Sequence, residues 1–203
     1  SDALASGTAG TCLFYITPDL EMVVTPSDGT SGVLPEGSKN SDWPWYRYAA
    51  YIKTIRFDKG VKTGKTLEWA FSNGSADADA YNRLESVDFT NLDATSLTSM
   101  KGMLAYDRTL TSVNLNMLNA DQITDMAEAF RSTSITGLDL TAIGDGRLWT
   151  ISNMCNSCTQ LETVRTGWTL PVLYYAQGTF AEDANLTGID AGGWRFGKVG
   201  SLS

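Results

Sequence analysis

Residues 84–104 read LESVDFTNLDATSLTSMKGML, and this stretch decides the fold because the chain repeats it. Its opening, Leu84-x-x-Val87-x-Phe89, returns at intervals of 25 or 26 residues. The later copies begin at Leu110, Ile135, Leu161 and Leu186. Unrelated stretches of sequence do not keep such a register by chance, so the chain is built from internal repeats.

Each repeat unit contains two apolar patterns of different period. The opening segment alternates with the period of two expected of a strand, whereas Met100-x-x-Met103-Leu104 places three side chains on one face of a helical turn. The second pattern returns as Met126-x-x-Ala129-Phe130, Ile151-x-x-Met154-Cys155 and Ala176-x-x-Thr179-Phe180. Further apolar residues lie between the two patterns, at Leu92, Leu118, Ile143 and Trp194 and then at Leu97, Ile123, Leu148 and Val199. One unit is therefore predicted to be a coil of strand, turn and short helix.

The size of the unit predicts how the coils assemble. One coil cannot bury its own apolar face, so the coils must stack into a continuous core. Their strands then pair in parallel at about 4.8 Å spacing. Both the strand pattern and the period match leucine-rich repeats. The sequence predicts an α/β solenoid of the leucine-rich-repeat type, with a parallel β-sheet on the concave side and short helices on the other side.

The repeat extends over most of the chain. Residues 52–203 are predicted to form a solenoid of about five coils plus a partial last one, whose first coil carries a polar insertion at residues 73–80. The last coil stops at Ser203 without a capping element. We expect either that the natural chain continues or that a short irregular end suffices.

Residues 1–51 do not show the repeat and are predicted to form an N-terminal cap. Residues 12–16 and 20–24 predict a β-hairpin, and an aromatic cluster that includes Trp43 and Trp45 follows it. Terminal coils expose a core face, so we expect the hairpin and the cluster to cover it. The alternative is that Trp43 and Trp45 form a patch that binds a sugar or a protein.

Composition and charge exclude several function classes. The chain has 203 residues with 15 basic and 23 acidic side chains, a net charge of −8 and no histidine. Without histidine there is no Ser-His-Asp or Cys-His catalysis and no imidazole-ligated metal. The acidic balance opposes binding of nucleic acid, and the apolar runs are far shorter than the roughly 20 residues of a spanning helix. We predict a partner other than nucleic acid and no insertion into a membrane.

Two small motifs invite a metal or redox interpretation. Cys155-x-x-Cys158 could form half of a zinc site or a redox pair, but no second pair completes it, and Cys155 aligns with core positions of other coils. Asp77 and Asp79 lack the other oxygen ligands of a calcium loop, so a solvated loop is expected. The chain also lacks a nucleophile with a base and a phosphate-binding glycine loop. We therefore predict a non-enzyme without metal or cofactor.

The repeat unit resembles that of the BspA-like leucine-rich-repeat surface proteins of bacteria, in the subgroup with repeats of 26 residues. Residues 84–104 follow that pattern closely, and so do residues 110–130, including Ile123-Thr-Asp-Met126. Later coils depart from it at residues 144–148 and after Leu161. The resemblance covers roughly residues 43–203. It implies secretion and display on a bacterial cell surface and adhesion to host proteins or other cells, and it brings no catalytic residues. We predict a host protein, a matrix protein or a glycan as the partner.

The strand positions that point away from the core are the candidate contact surface. The residues we select there are Asp88, Asn114, Asp139, Arg165 and Asp190, to which the aromatic hypothesis adds Trp43 and Trp45. Short polar side chains suit modest hydrogen bonds to a protein segment or a glycan. They suit equally a sheet that only faces water. The function is predicted to be either adhesive binding or that of a structural stalk or spacer within a larger surface protein.

Overall fold

The computed structural model describes residues 2–190 and Trp194, and these residues form a β-solenoid. The strands in this part of the chain are short. They are β1 (Ala5–Ala9), β2 (Cys12–Ile16), β3 (Glu21–Pro26), β4 (Gly32–Val33), β5 (Thr54–Phe57), β6 (Val61–Lys62), β7 (Ser86–Asp88), β8 (Ser112–Asn114), β9 (Gly137–Asp139), β10 (Thr163–Arg165) and β11 (Gly188–Ile189). Two 3-10 turns, Asn40–Asp42 and Tyr46–Tyr51, are the helical segments of the described residues, and no helix among them is long and apolar enough to cross a membrane.

Successive coils pair through parallel strands, as the repeat predicts. β3, β5, β7 and β8 are joined in that order, with Val87 of β7 opposite Val113 of β8. β9, β10 and β11 form a second parallel group, with Leu138 opposite Val164. The strands β8 and β9 do not pair with each other. Their coils stay joined outside the strands, for example by the Ser134 N–H that donates to the Leu110 carbonyl at 2.9 Å.

The core consists of the apolar positions that recur in each coil. In the coil that begins at Leu84 all of them are at most 3% exposed, namely Leu84, Val87, Phe89, Leu92, Leu97, Met100, Met103 and Leu104. The equivalent Ile123, Met126 and Phe130 of the next coil are completely buried, and so is Cys155. Burial of one such side chain stabilises the fold by roughly 1.5–3 kcal/mol, so stacking supplies the stability that a single coil lacks. The predicted core positions are confirmed in these coils, whereas Val113 is half-buried and Ile189, in the last described strand, is 40% exposed.

The predicted short helices are absent from residues 2–190, and consecutive turns replace them. In the second apolar segment every fourth residue has a positive φ, as at Gly102 (61°) and Tyr106 (67°), and then at Glu128 (60°) and Ser132 (57°) one coil later. An α-helix needs an unbroken run of negative φ values. Spacing of i, i+3 and i+4 fits a pair of successive turns as well as a helix, which is why the pattern predicted the wrong backbone.

The turns free their amide groups for the next coil. Gly102 donates its N–H to the Ala127 carbonyl at 2.9 Å, and Leu104 donates to the Ala129 carbonyl at 2.9 Å. In a helix these groups would bond four residues back within the same coil. The solenoid thus has a second ladder of hydrogen bonds on the side opposite the strands.

The predicted N-terminal hairpin is present and extends the sheet. β2 and β3 are antiparallel, β1 adds a further antiparallel strand that the sequence did not predict, and β3 pairs in parallel with β5 of the first coil. Trp45 stacks on Phe71 of that coil with ring centroids 5.3 Å apart. The division of the chain at residue 52 stays a prediction.

The last coil is described only in part. β11 pairs with β10, and Trp194 is 6% exposed, at a position that the repeat predicted to be apolar. Val199 lies outside the described residues.

The backbone strain in the turns gives a test. Ser132 holds φ at 57° and its hydroxyl forms no hydrogen bond with the described residues. We expect Ser132→Gly to raise the free energy of unfolding by about 0.5–1 kcal/mol, because glycine removes a left-handed penalty of about 1–2 kcal/mol at a smaller entropic cost. Urea unfolding followed by tryptophan fluorescence measures the change.

The matched control is Ser112→Gly in β8, where the backbone is extended. Glycine has no strain to relieve there, so we expect a loss of about 0.5–1 kcal/mol. Shifts of the same sign in the two variants would contradict the turn geometry.

Candidate functional site

The five polar residues selected from the sequence, which we call the strand row, are Asp88, Asn114, Asp139, Arg165 and Asp190; the first four lie in β7 to β10, and Asp190 directly follows β11. Strand register places Asp88 beside Asn114 and Asp139 beside Arg165. The structure brings these pairs together in two separate groups, since β8 and β9 do not pair.

Three members of the strand row are used within the fold. The Asp88 carboxylate accepts hydrogen bonds from the Thr90 N–H at 2.9 Å and from the Thr90 hydroxyl. Asp139 binds Thr141 in the same way, and the Asn114 side-chain oxygen accepts from the Asn116 N–H at 3.0 Å. Each of them closes the turn that follows its strand.

Arg165 is exposed and carries the only positive charge of the strand row. Its side chain is 73% exposed, and one guanidinium nitrogen lies 3.7 Å from a carboxylate oxygen of Asp139. The Thr141 hydroxyl and N–H lower the pKa of Asp139, with a smaller contribution from Arg165. An exposed pair of this kind contributes little to stability, so Arg165 can turn toward a ligand at low cost.

Trp43 and Trp45 belong to the core and present no patch to solvent. Their side chains are 2% and 0% exposed. The Trp43 indole N–H donates to the Glu68 carbonyl at 2.9 Å, and that of Trp45 donates to the Ala70 carbonyl at 2.8 Å. Buried rings with satisfied N–H groups have no face left for a sugar or a protein partner.

An exposed aromatic cluster lies elsewhere, on the last coils, and we call it the aromatic platform: Trp149, Tyr174 and Tyr175. Their exposed fractions are 49%, 42% and 46%. Trp149 and Tyr174 are stacked with centroids 5.7 Å apart and planes 19° apart. Tyr175 stands nearly perpendicular to both, at 4.9 Å from Trp149 and 4.7 Å from Tyr174.

Coil-to-coil hydrogen bonds hold the backbone of the aromatic platform. The N–H of Trp149 donates to the Thr124 carbonyl at 2.9 Å, and that of Tyr174 donates to the Trp149 carbonyl at 2.8 Å. Earlier coils carry Thr98 and Thr124 at this position, and each of these hydroxyls donates to the carbonyl of the preceding coil. Sequence reasoning missed the platform. The available signal was an aromatic residue at a repeat position that is otherwise threonine.

A polar column occupies one corner of the coils, at the turn before each new strand segment, and it is buried except at Asp183, which is half-buried. Its members in coil order are Asn73, Asp107, Thr133, Cys158 and Asp183. Asn73 binds backbone groups of Tyr81 and Tyr106, and the Cys158 thiol donates to the Phe130 carbonyl at 3.0 Å. The Cys158 N–H donates to Asp183 at 2.8 Å. The column therefore links neighbouring coils and opens to no ligand.

Neither metal binding nor thiol chemistry finds support in the described residues. They contain no group of three or more cysteine, aspartate or glutamate side chains placed to hold a metal ion. Cys12, Cys155 and Cys158 are free and buried. Burial raises the pKa of the Cys155 thiol well above its usual range, which disfavours the reactive thiolate.

Burial also perturbs two carboxyl groups of the column. Asp107 is fully buried, and neither of its carboxylate oxygens accepts a well-formed hydrogen bond from the described residues. Desolvation raises its pKa well above the usual aspartate range, and it raises the pKa of Asp183 to about 7. Both groups therefore take up a proton at a higher pH than an ordinary aspartate does.

No protein-family model and no curated protein matches this chain. A solved leucine-rich repeat protein from Eubacterium ventriosum ATCC 27560 matches 91% of this chain and 78% of its own, at 12% identity and a TM-score of 0.24. A leucine rich cell surface protein from Faecalibacterium prausnitzii A2-165 matches 93% of this chain and 55% of its own, at 12% identity and a TM-score of 0.36.

A third solved structure is similar in the same weak sense. The leucine-rich-repeat protein of T. pallidum matches 88% of this chain and 78% of its own, at 16% identity and a TM-score of 0.28. Likeness at these TM-scores carries no argument. The solenoid assignment therefore rests on the strand pairing of this chain itself.

The buried carboxyls predict a pH dependence of stability. A carboxyl group whose pKa is raised by folding stabilises the folded chain below the unfolded pKa, near 4, and this stabilisation is lost as pH rises through the folded pKa. We expect the free energy of unfolding to fall between about pH 4 and the value of about 7 for Asp183. Asp183→Asn should make that fall smaller, because the amide does not titrate and its oxygen still accepts from Cys158. Urea unfolding at several pH values measures it.

Asp93→Asn is the control. The Thr95 hydroxyl and N–H lower the pKa of Asp93, so its stabilisation is present above the unfolded pKa and is lost as pH falls. We expect this variant to change the profile only at the acid end. An unchanged fall between pH 4 and 7 in Asp183→Asn would contradict the assignment.

Proposed function

We propose that this chain is a non-catalytic, carbohydrate-binding module of a bacterial cell-surface or secreted protein, that it serves adhesion, and that the aromatic platform contacts the glycan. One observation carries the proposal: three large aromatic side chains on adjacent coils, each 42–49% exposed, pack against one another instead of entering the core. Folding alone does not require this, since earlier coils carry Thr98 and Thr124 at the position of Trp149 and Tyr174, and Ser99, Asp125 and Thr150 at the position of Tyr175.

The shape of the aromatic platform suits a sugar. Aromatic rings offer rigid apolar faces to the C–H groups of a pyranose, while tyrosine hydroxyls and the indole N–H stay available for hydrogen bonds. The coil-to-coil bonds hold the backbone of Trp149 and Tyr174, so binding orders few additional groups. Thr124, the preceding member of the same repeat position, is exposed and extends this surface with a polar group.

The limited apolar area favours a glycan over a folded protein. A stable protein interface buries roughly 1,200–2,000 Å² with an apolar centre. The described residues add only Val172 close in sequence to the aromatic platform as an exposed large hydrophobic residue. The others occur at separate points along the chain, at Leu4, Leu13, Val33, Tyr51, Met117 and Ile189.

The strand row supports a second candidate, the binding of a host or matrix protein segment. Arg165 provides its specific basis, because a 73% exposed guanidinium is available for a carboxylate of a partner. In this candidate Asp88, Asn114, Asp139 and Asp190 supply further polar contacts.

Substitutions in the aromatic platform test the proposal. We expect Trp149→Ala and Tyr174→Ala each to weaken binding of the glycan that a neutral-glycan array selects by at least tenfold, about 1.4 kcal/mol, because each removes a stacking face. Isothermal titration measures the affinity. Met117→Ala is the matched control. Met117 is 71% exposed on an earlier coil, which begins at Leu110, and we expect its substitution to leave the affinity unchanged.

Three outcomes would contradict the proposal in different ways. Loss of binding in Arg165→Ala but not in Trp149→Ala would move the contact surface to the strand row. Binding of matrix proteins without binding of any glycan would favour the second candidate. The absence of both kinds of binding, with adhesion that depends only on the number of coils, would favour a structural stalk.

A further inference from the structure

An open groove with a volume of about 650 Å³ lies along the starts of β5, β7 and β8, and none of the strand row or aromatic platform residues lines it. Its lining includes three cations, Lys53, Arg83 and Arg108. Hydroxyl groups of Thr109, Thr111 and Ser134 also line it. We call it the cationic pocket.

The cationic pocket stands out in a chain with a net charge of −8. Glu85 is the only acidic side chain in its lining, so three cations face one anion. None of the three cations takes part in an ion pair within the described residues, whereas Arg56, Arg131 and Arg165 each have a carboxylate partner there. A cleft lined by one sign of charge concentrates its field and attracts the opposite charge.

The fold holds part of this charge in place. The Arg108 guanidinium donates to the carbonyl groups of Ala76 and Ala78 in the polar insertion, which fixes its direction and leaves some of its five N–H donors free. Arg83 forms no side-chain hydrogen bond with the described residues and can close on a ligand. The backbone of the floor is held from coil to coil, because the Glu85 N–H donates to the Lys53 carbonyl at 2.8 Å and the Thr111 N–H donates to the Glu85 carbonyl at 2.9 Å.

We propose that the cationic pocket binds an acidic glycan through a sulfate or carboxylate group. Guanidinium groups match both oxyanions in geometry. The hydroxyls of Thr109, Thr111 and Ser134 donate to backbone carbonyls of Leu84, Glu85 and Arg108, so toward a saccharide they act as hydrogen-bond acceptors. The groove is open to solvent, which suits a saccharide that binds along the surface. An acidic peptide fits less well, because the backbone groups of the floor already bond from coil to coil and leave no strand edge for a peptide.

Isothermal titration with defined probes tests this proposal. The probes are a sulfated heparin-derived disaccharide and sialyllactose, with lactose as the neutral match of the latter. We expect both acidic probes to bind and lactose to bind at least tenfold more weakly. Arg83→Gln and Lys53→Gln should each lower the affinity for the acidic probes by at least tenfold. In the wild-type chain, 0.5 M salt should also lower that affinity.

Lys59→Gln is the matched control, because it removes the same charge from an exposed lysine outside the cationic pocket, and we expect affinity within twofold of wild type. Urea unfolding establishes that all variants are folded. Trp149→Ala should keep the acidic-glycan affinity, which separates this site from the aromatic platform.

Several results would overturn the proposal. Failure of both acidic probes to bind at millimolar concentration, or equal losses in Arg83→Gln and Lys59→Gln, would remove the site. Equal affinity for inorganic sulfate would show that the saccharide contributes nothing. Equal affinity for a hexaglutamate peptide would show that the cationic pocket is selective for charge and not for glycans.

Discussion

Hydrogen bonding between the backbones of consecutive coils is the constraint on which the rest of this structure depends. It operates on two sides of the solenoid, through the short parallel strands and through the turns opposite them. Each coil is thereby fixed about 4.8 Å from the next, and equivalent residues stand over one another. The residues at one repeat position consequently form a row of side chains along the solenoid. The core, the polar column and the surface positions described above are rows of this kind.

Rows explain why this chain tolerates unusual residues in some places and not in others. A side chain at a core position packs against two neighbouring coils, so a substitution there affects both of them. Most of these positions hold buried leucine, methionine or phenylalanine. The corner position is buried or half-buried but polar, so it accepts Asn73, Thr133 or Asp183 as long as a backbone group is within reach. At the outward position threonine gives way to Trp149 and Tyr174 without disturbing the backbone bonds. An exposed repeat position can therefore change its residue type, and with it the ligand that the surface contacts, while the fold stays the same.

The proposed contact surfaces differ in their chemistry, and both follow from the same lattice. The aromatic platform offers ring faces on a neutral stretch of the last coils, whereas the cationic pocket gathers unpaired positive charge near the first coils. A solenoid can hold two such sites apart because each coil contacts only its neighbours.

The sequence by itself determined the repeat, the parallel stacking and the core, because a register of 25 or 26 residues leaves one way to bury Leu84, Val87 and their equivalents. It could not tell turns from short helices, since i, i+3 and i+4 spacing satisfies both, and positive φ values at residues such as Tyr106 and Ser132 have no strong signature in sequence. Only the tertiary structure decided which aromatic side chains are exposed to solvent. Trp43 and Trp45 are buried because their indole N–H groups donate to backbone carbonyls of the first coil, where Trp45 also stacks on Phe71. Trp149 lies at an outward position and is exposed. Exposure depends on which face of a coil a residue occupies and on what covers it, and both are known only once the coils are stacked.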